Sequence, residues 1–217
     1  MSIPSYLVQE PQQARSRETM NQMLDAAAQI LEIKTFEDLT IAEVVEKAGT
    51  SVGAFYGRFR DKDGLLQALD ERFFQEFERA FGELVSQPGF AQRPISFIIR
   101  NTAAFLADQY SRNQGLMRSL NLKARLYGDS NFKERERRAW NELFPKLREI
   151  LLAHRAEIRH PNPSLAIELG CKQMFYAMRE IMLWEPLRES RLYETDALIA
   201  ELSRACLAYL EAKGGSE

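Results

Sequence analysis

Cysteine is scarce: Cys171 and Cys206 are the only two in 217 residues. They are too few and too far apart for a disulfide framework or a thiolate metal cage, and they fit a reducing cytoplasm. Charge of either sign is not in excess. The 29 Lys and Arg against 31 Asp and Glu leave a formal −2, so the whole chain carries no footprint for a polyanion or a membrane surface, and any such site must come from a local arrangement. No apolar run approaches the roughly 18 residues needed to span a bilayer, and the start, Met1 to Val8, has neither a basic n-region nor a sustained apolar h-region. A soluble, cytoplasmic chain without membrane contact is expected. Short runs of Val, Ile and Thr alternating at period two are missing, which excludes a sheet. There is no internal repeat and no glycine loop of the kind that cradles phosphate.

Histidine is limited to His154 and His160. Glu157 and His160 make a Glu-x-x-His pair, but a di-iron bundle needs a second copy and two further carboxylates on facing helices. The second copy is absent, and Pro161 places His160 at a frayed helix end. His154 has no Ser or Cys partner suggested by the sequence. No enzyme activity, metal or cofactor is expected on these grounds; a helical ligand-binding or enzymatic bundle without DNA binding is the alternative, to be separated by a metal assay and a mobility-shift assay.

Helical periodicity is what the chain does have. Residues 1–14 hold two prolines and three glutamines and read as a mobile arm. From Ser16 onward Met20, Met23, Leu24, Ala27, Ile30 and Leu31 recur at three and four, one face of a helix. Thr40 with Glu43 three residues on is a capping box opening a second helix that runs to about Ala48. Gly49 stands at its C-terminal cap, and Ser51 follows as N-cap of a very short third helix from Val52 to about Phe59. Asp61 caps a longer fourth helix with Leu65, Leu66, Leu69, Phe73, Phe77, Phe81 and Leu84 on its apolar face. The stretch from Ser86 to Pro94 is the one composition shift that marks a boundary, with Pro94 suited to a first helical position. Amphipathic segments follow at about 94–110, 113–126, 131–158, 163–184 and 193–212, with Pro145 either kinking the third or starting a new helix. The expected fold is all-α, about nine helices: a head at 15–62, a connecting helix at 63–86 and a body at 87–217.

Two short helices joined by a glycine turn, backed by a first and a fourth, are what a helix-turn-helix requires. Val52, Phe55 and Phe59 fall at i, i+3 and i+7 and point inward. Ser51, Gly53, Ala54 and Arg58 are left outside, where small residues allow close approach to base edges and Arg58 reaches a guanine or a phosphate. Tyr56 offers a hydroxyl to a backbone phosphate, and Thr40 and Lys62, at the starts of the second and fourth helices, are natural phosphate clamps. The candidate DNA-binding set is Thr40, Thr50, Ser51, Val52, Gly53, Ala54, Tyr56, Arg58 and Lys62. Between Arg15 and Lys62 there are 7 basic and 8 acidic residues, so binding must rest on geometry and on two heads acting together.

The run from Thr40 to Leu66 resembles the DNA-binding signature of TetR/AcrR-type transcriptional regulators. It carries the family's Thr, Ala-Gly, Gly-x-x-Tyr-x-x-Phe and Lys at Thr40, Ala48-Gly49, Gly53 to Phe59 and Lys62. The likeness extends weakly back to about Arg17, a quarter of the chain. Arg58 stands where many members carry His or Tyr, and Lys34-Thr35 replaces a common Gly-aromatic pair. The resemblance implies phosphate contacts at Thr40, Tyr56 and Lys62, a recognition helix from Ser51, a homodimer on a palindromic double-stranded operator, and a repressor released by a small-molecule effector.

Such a dimer could use Leu165, Leu169, Met174, Met178, Ile181 and Met182 with Leu198, Leu202, Ala205, Cys206 and Tyr209, from the last two helices. The effector would meet the aromatic and Met-rich body, where the candidates are Phe105, Met117, Asn121, Tyr127, Trp140, Phe144, Gln173, Met174 and Met178.

Overall fold

The computed structural model describes residues 10–127, 134, 137, 140–184 and 194–213. Among them there is no strand, and nine α-helices follow one another: α1 (Glu10–Leu31), α2 (Ile41–Lys47), α3 (Val52–Tyr56), α4 (Lys62–Val85), α5 (Ile95–Arg112), α6 (Gln114–Tyr127), α7 (Phe144–Ala153), α8 (Pro163–Trp184) and α9 (Thr195–Glu211). No helix among the described residues is long and apolar enough to cross a membrane.

The sequence places the helix ends through local chemistry. Thr40 and Glu43 form the full capping box: the Glu43 N–H donates to Thr40 Oγ1 at 3.2 Å and the Thr40 N–H donates to Glu43 Oε2 at 3.0 Å. Such a cap is worth about 1 kcal/mol. At the other end of α2, Gly49 takes φ +63°. Its N–H donates to the Glu46 carbonyl and the next N–H, of Thr50, to the Val45 carbonyl, the paired bonds of a Schellman turn, which need a residue at ease in the left-handed region. Ser51 Oγ accepts from Ala54 N–H at 3.1 Å to start α3, and Asp61 Oδ1 from Gly64 N–H at 2.9 Å to start α4. Pro145 sits in the first turn of α7, so it begins a new helix and does not kink an old one.

One difference from the sequence reading concerns an end. Helix α1 begins at Glu10, within the stretch expected to be a mobile arm; Pro11 is tolerated in a first turn, and Gln12, Gln13 and Ala14 are adequate helix formers. Residues 1–9 of that expected arm lie outside the described residues.

Apolar faces close into two cores. One is built from α1 to α4: Met23, Ala27, Leu39, Val44, Phe55, Leu65 and Leu69 are each wholly or almost wholly buried. The other joins α5, α7, α8 and α9 around Ile98, Leu106, Leu147, Leu151, Ile167 and Met178. At about 1.5–3 kcal/mol for each large apolar side chain buried, these clusters carry the fold. The cores do not divide where the composition shifts near Pro94. Leu116, Met117 and Leu120 of α6, with Leu183 of α8, belong to the head's core. Gly115 permits the approach, since a Cβ there would fall on the Leu31 carbonyl of α1, and its N–H donates to Glu32 Oε1 at 3.0 Å. Connection between head and body thus runs through α6 as well as through α4.

Candidate nucleic-acid interface and effector cavity

Helix α3 is anchored by one residue. Phe55 is 0% exposed, and its ring lies edge-on to Tyr56 at 5.5 Å and against Phe59 at 5.2 Å. What lies opposite that anchor faces solvent: Ser51 and Gly53 are exposed, Val52 is 48% exposed and Tyr56 57%. The inward position expected for Val52 is therefore corrected. As the first residue of a five-residue helix its side chain leans toward the N-terminal end, at the edge of the core, where it is left about half exposed. Gly53 has no internal reason to lack a side chain, because a Cβ there would meet only Ser51 Oγ, at 3.9 Å. Ala54 is half-buried, Thr50 is half-buried beside it, and Thr40 is exposed at the start of α2.

Two members of the predicted set are engaged elsewhere. Arg58, expected on the outer side, folds back: its guanidinium donates to the Ala54 carbonyl at 2.8 Å, to the Ser16 carbonyl at 3.2 Å and to Ser16 Oγ at 3.3 Å. It lies past Gly57, where the chain turns toward α1 and a helix-end carbonyl needs a donor. Lys62, expected as a phosphate clamp, directs its ammonium at three backbone carbonyls, those of Phe36 at 3.1 Å, Glu37 at 3.0 Å and Leu39 at 2.8 Å. It also lies over the Phe36 ring, 5.1 Å from the centroid. An ammonium has three N–H donors, so all are occupied in bracing the α1–α2 loop.

Glu43 shapes the electrostatics of this end. Its carboxyl is pulled down from 4.5 to about 2, first by the side-chain hydrogen bond from Lys34 and then by that from Thr40. Lys34 and Glu43 form an ion pair across the loop. The carboxylate is thereby held within the capping box.

In the body, an apolar cavity of about 140 Å³ opens between α4, α5, α6, α7 and α8. Helix α4 supplies Asp70, Phe73, Phe74, Phe77 and Phe81. From α5 and α6 come Leu106, Tyr110 and Met117; Trp140, Leu143, Phe144 and Leu147 also line it, and α8 adds Phe175, Tyr176 and Arg179. Of the effector candidates, Met117, Trp140 and Phe144 are brought together here. Phe105 stands behind the wall, 5.1 Å from Phe77 and 5.7 Å from Phe81. Asn121, Gln173, Met174 and Met178 do not line it. Asn121 is buried with its amide donating to the Met117 carbonyl, Met174 and Met178 fill the body core, and Gln173 is exposed. Each is a case of helical spacing that does not distinguish core, cavity and surface. The Tyr127 side chain lies outside the described residues. The α4 rings were missed as lining, although Phe73, Phe77 and Phe81 recur every fourth residue.

Glu157 and His160 share no helix: His154 Nδ1 meets Glu157 Oε1 at 2.8 Å, Glu157 Oε2 accepts from Ile95 N–H at 3.3 Å, and His160 Nδ1 contacts the Asn162 backbone. Among the described residues no group of three or more His, Cys, Asp or Glu is placed to hold a metal. Cys171 and Cys206 are buried against each other between α8 and α9; the contact with Cys206, and burial, push the Cys171 thiol up.

Residues 23–69 match the family model of the bacterial regulatory proteins of the tetR family. No curated protein sequence matches the chain. Among solved structures, a bacterial regulatory protein of the tetR family from Rhodococcus RHA1 superposes with TM-score 0.64 at 17% identity, covering 89% of this chain and 97% of that one. The transcriptional regulator FadR from Bacillus subtilis, solved in complex with stearoyl-CoA, gives 0.62 at 17% identity over 87% and 97%. GusR from Salmonella enterica gives 0.57 at 14% identity over 89% and 96%. Residues 23–69 are thus a TetR-family DNA-binding domain with its helix-turn-helix, set on a helical body that shares the fold of TetR-family regulators.

Proposed function

We propose that the protein is a homodimeric transcriptional repressor that leaves a palindromic operator when a small molecule fills the body cavity. The observation that carries this reading is the outward face of α3. A valine, a tyrosine and a side-chain-free position stand exposed on a helix whose opposite side is fixed by a fully buried phenylalanine. Small and open positions let the backbone approach base edges, while Val52 offers an apolar contact for a thymine methyl. Ser51, Val52, Gly53, Ala54 and Tyr56 form the reading surface, with Thr40 and Thr50 at its flank. Arg58 and Lys62 hold that surface in place and do not touch DNA directly.

One head presents too little surface for tight specific binding, and two-fold docking places two reading helices about 34–36 Å apart. The α8 and α9 surfaces supply a mating face: Leu165 is 51% exposed and Leu169 39%, one turn apart, with Leu202 and Tyr209 half-buried alongside. Met174, Met178, Leu198 and Cys206, expected at that face, are instead buried in the monomer's own core. An effector acts by preferring the state whose head separation misfits the operator. Operator binding to the DNA beside the protein's own gene, with stoichiometry by sedimentation, tests the reading. Two chains per site are expected, and a protein inert toward double-stranded DNA overturns it.

A further inference from the structure

We infer that the cavity takes an uncharged molecule built on a single aromatic ring. This rests on the reading of the cavity as the effector site and names the chemistry of what fills it. Size comes first. The space is about 140 Å³, and a cavity of about 150 Å³ lined by Leu, Ile and Phe holds one benzene.

The wall decides between a ring and a chain. Within the lining, Phe73 and Phe77 lie 6.0 Å apart, centroid to centroid, tilted at 44°. Trp140 sits 4.5 Å from Phe144 and 5.3 Å from Phe175, at 37° and 57°. These five lining rings already meet one another at the tilted separations that aromatic pairs prefer. A further ring gains from that arrangement about 0.5–1.5 kcal/mol per aromatic pair beyond its area, and a saturated chain does not.

Charge decides the rest. Among the described residues Asp70 and Arg179 are the only charged side chains on the wall, one of each sign, so that lining carries no net formal charge to offset a ligand ion stripped of water. Burying such an ion uncompensated is costly, whereas a neutral ring loses little on leaving water. Position makes the occupant consequential. Phe73 and Phe77 belong to α4, whose first turn follows the helix-turn-helix, and Met117 belongs at once to the cavity wall and to the head's core.

The test uses the full chain carrying Trp184→Phe, so that emission from Trp140 alone reports occupancy, with calorimetry for affinity. The probes are ethylbenzene, benzoate, benzylamine and 1-heptanol. Ethylbenzene is expected to bind at least roughly tenfold tighter than either ion, and about two- to tenfold tighter than 1-heptanol. Phe77→Leu, which keeps an apolar wall but removes one ring, should shrink the preference for ethylbenzene over 1-heptanol while leaving the affinity for 1-heptanol within twofold. Should that variant fail to fold, Phe144→Leu makes the same comparison from another lining ring. Benzoate or benzylamine binding tighter than ethylbenzene overturns the uncharged class, and 1-heptanol matching ethylbenzene overturns the aromatic one. Either result leaves the cavity as an effector site. If none of the four probes alters Trp140 emission or releases heat, the effector-site reading itself fails.

Discussion

Replacing Lys62 by Met separates two roles that a lysine at the head of α4 can play. Methionine keeps an apolar stem against Phe36 and removes the ammonium. Three carbonyls then lose their donor; those of Phe36 and Leu39 are partly buried, while that of Glu37 is exposed and recovers water. A partly buried acceptor left unsatisfied costs about 1–3 kcal/mol, and the lost cation–π contact about 0.5–1 kcal/mol more. Because neighbouring losses are not additive, about 3 kcal/mol is expected for the whole substitution. For a chain of this size that lowers the melting temperature by roughly 6–12 °C. Thermal melts of wild type and Lys62→Met, with operator affinity measured across a salt series well below the variant's melting point, check it. A brace leaves the slope of log affinity against log salt unchanged, whereas a phosphate clamp flattens it by about one per chain. A variant as stable as wild type with a flattened slope would refute the brace.

Three further substitutions or titrations follow from the same geometry. Gly53→Ala introduces a methyl with only Ser51 Oγ near it, so the fold should be unchanged or gain up to about 1 kcal/mol, while operator affinity falls at least roughly tenfold because the methyl stands on the reading surface; equal affinity in a mobility-shift titration would remove Gly53 from the interface. Gly115→Ala sets a Cβ on the Leu31 carbonyl, and backbone yields less readily than a side-chain tip; a loss of about 1–3 kcal/mol is expected in urea unfolding, and a change under 0.5 kcal/mol, within the ordinary scatter of tolerated substitutions, counts against a tight α1–α6 contact. The depressed carboxyl of Glu43 stabilises the folded state fully above its ordinary value of 4.5, and that contribution drains away as pH falls toward about 2. Carboxyl NMR should place the Glu43 midpoint near the lower value and move it upward in Lys34→Met; an ordinary midpoint in wild type contradicts the Lys34 and Thr40 bonding.

What the sequence disclosed was whatever a short window contains. The capping box at Thr40 and Glu43, the left-handed Gly49, and the caps at Ser51 and Asp61 are each decided within four residues, and each stands where spacing put it. Hidden from it were contacts that span the chain. Arg58 meets Ser16 across 42 positions and Lys62 meets Leu39 across 23; apart from the local bond of Arg58 to the Ala54 carbonyl, neither side chain's engagement follows from its neighbours, and both read as free cations. The cavity failed for a different reason. A period of four marks Phe73, Phe77 and Phe81 as one face of α4, yet periodicity says only that a face is covered, not whether by core, by a void or by another chain. Met174 and Met178 carry the same signal and lie in solid core. Val52 shows the limit at a helix end, where the face defined by spacing runs off the edge of what it packs on.

The geometry also narrows how an occupant of the cavity reaches the reading helix under the proposed function. Helix α4 is one route, since its middle forms the cavity wall and its capped start directly follows α3. Helix α6 is a second route, and it grips the head at three places. Gly115 lies on the end of α1, Leu116, Met117 and Leu120 enter the head's core, and Lys123 pairs with Asp63 in the first turn of α4 while standing 5.0 Å over the Phe36 ring. That ring carries Lys62 as well, and the loop Lys62 braces leads into α2. Among the described wall residues Met117 is the one buried member of the head's core, with Phe73 and Tyr110 packed against that core. An occupant that displaces Met117 therefore strains the head directly, whereas one that pushes only on Phe77 tilts α4 as a lever. The two routes share the first turn of α4, so Asp63→Asn, which breaks the Lys123–Asp63 pair from its exposed side, weakens α6 coupling without touching the cavity, the reading surface or either core.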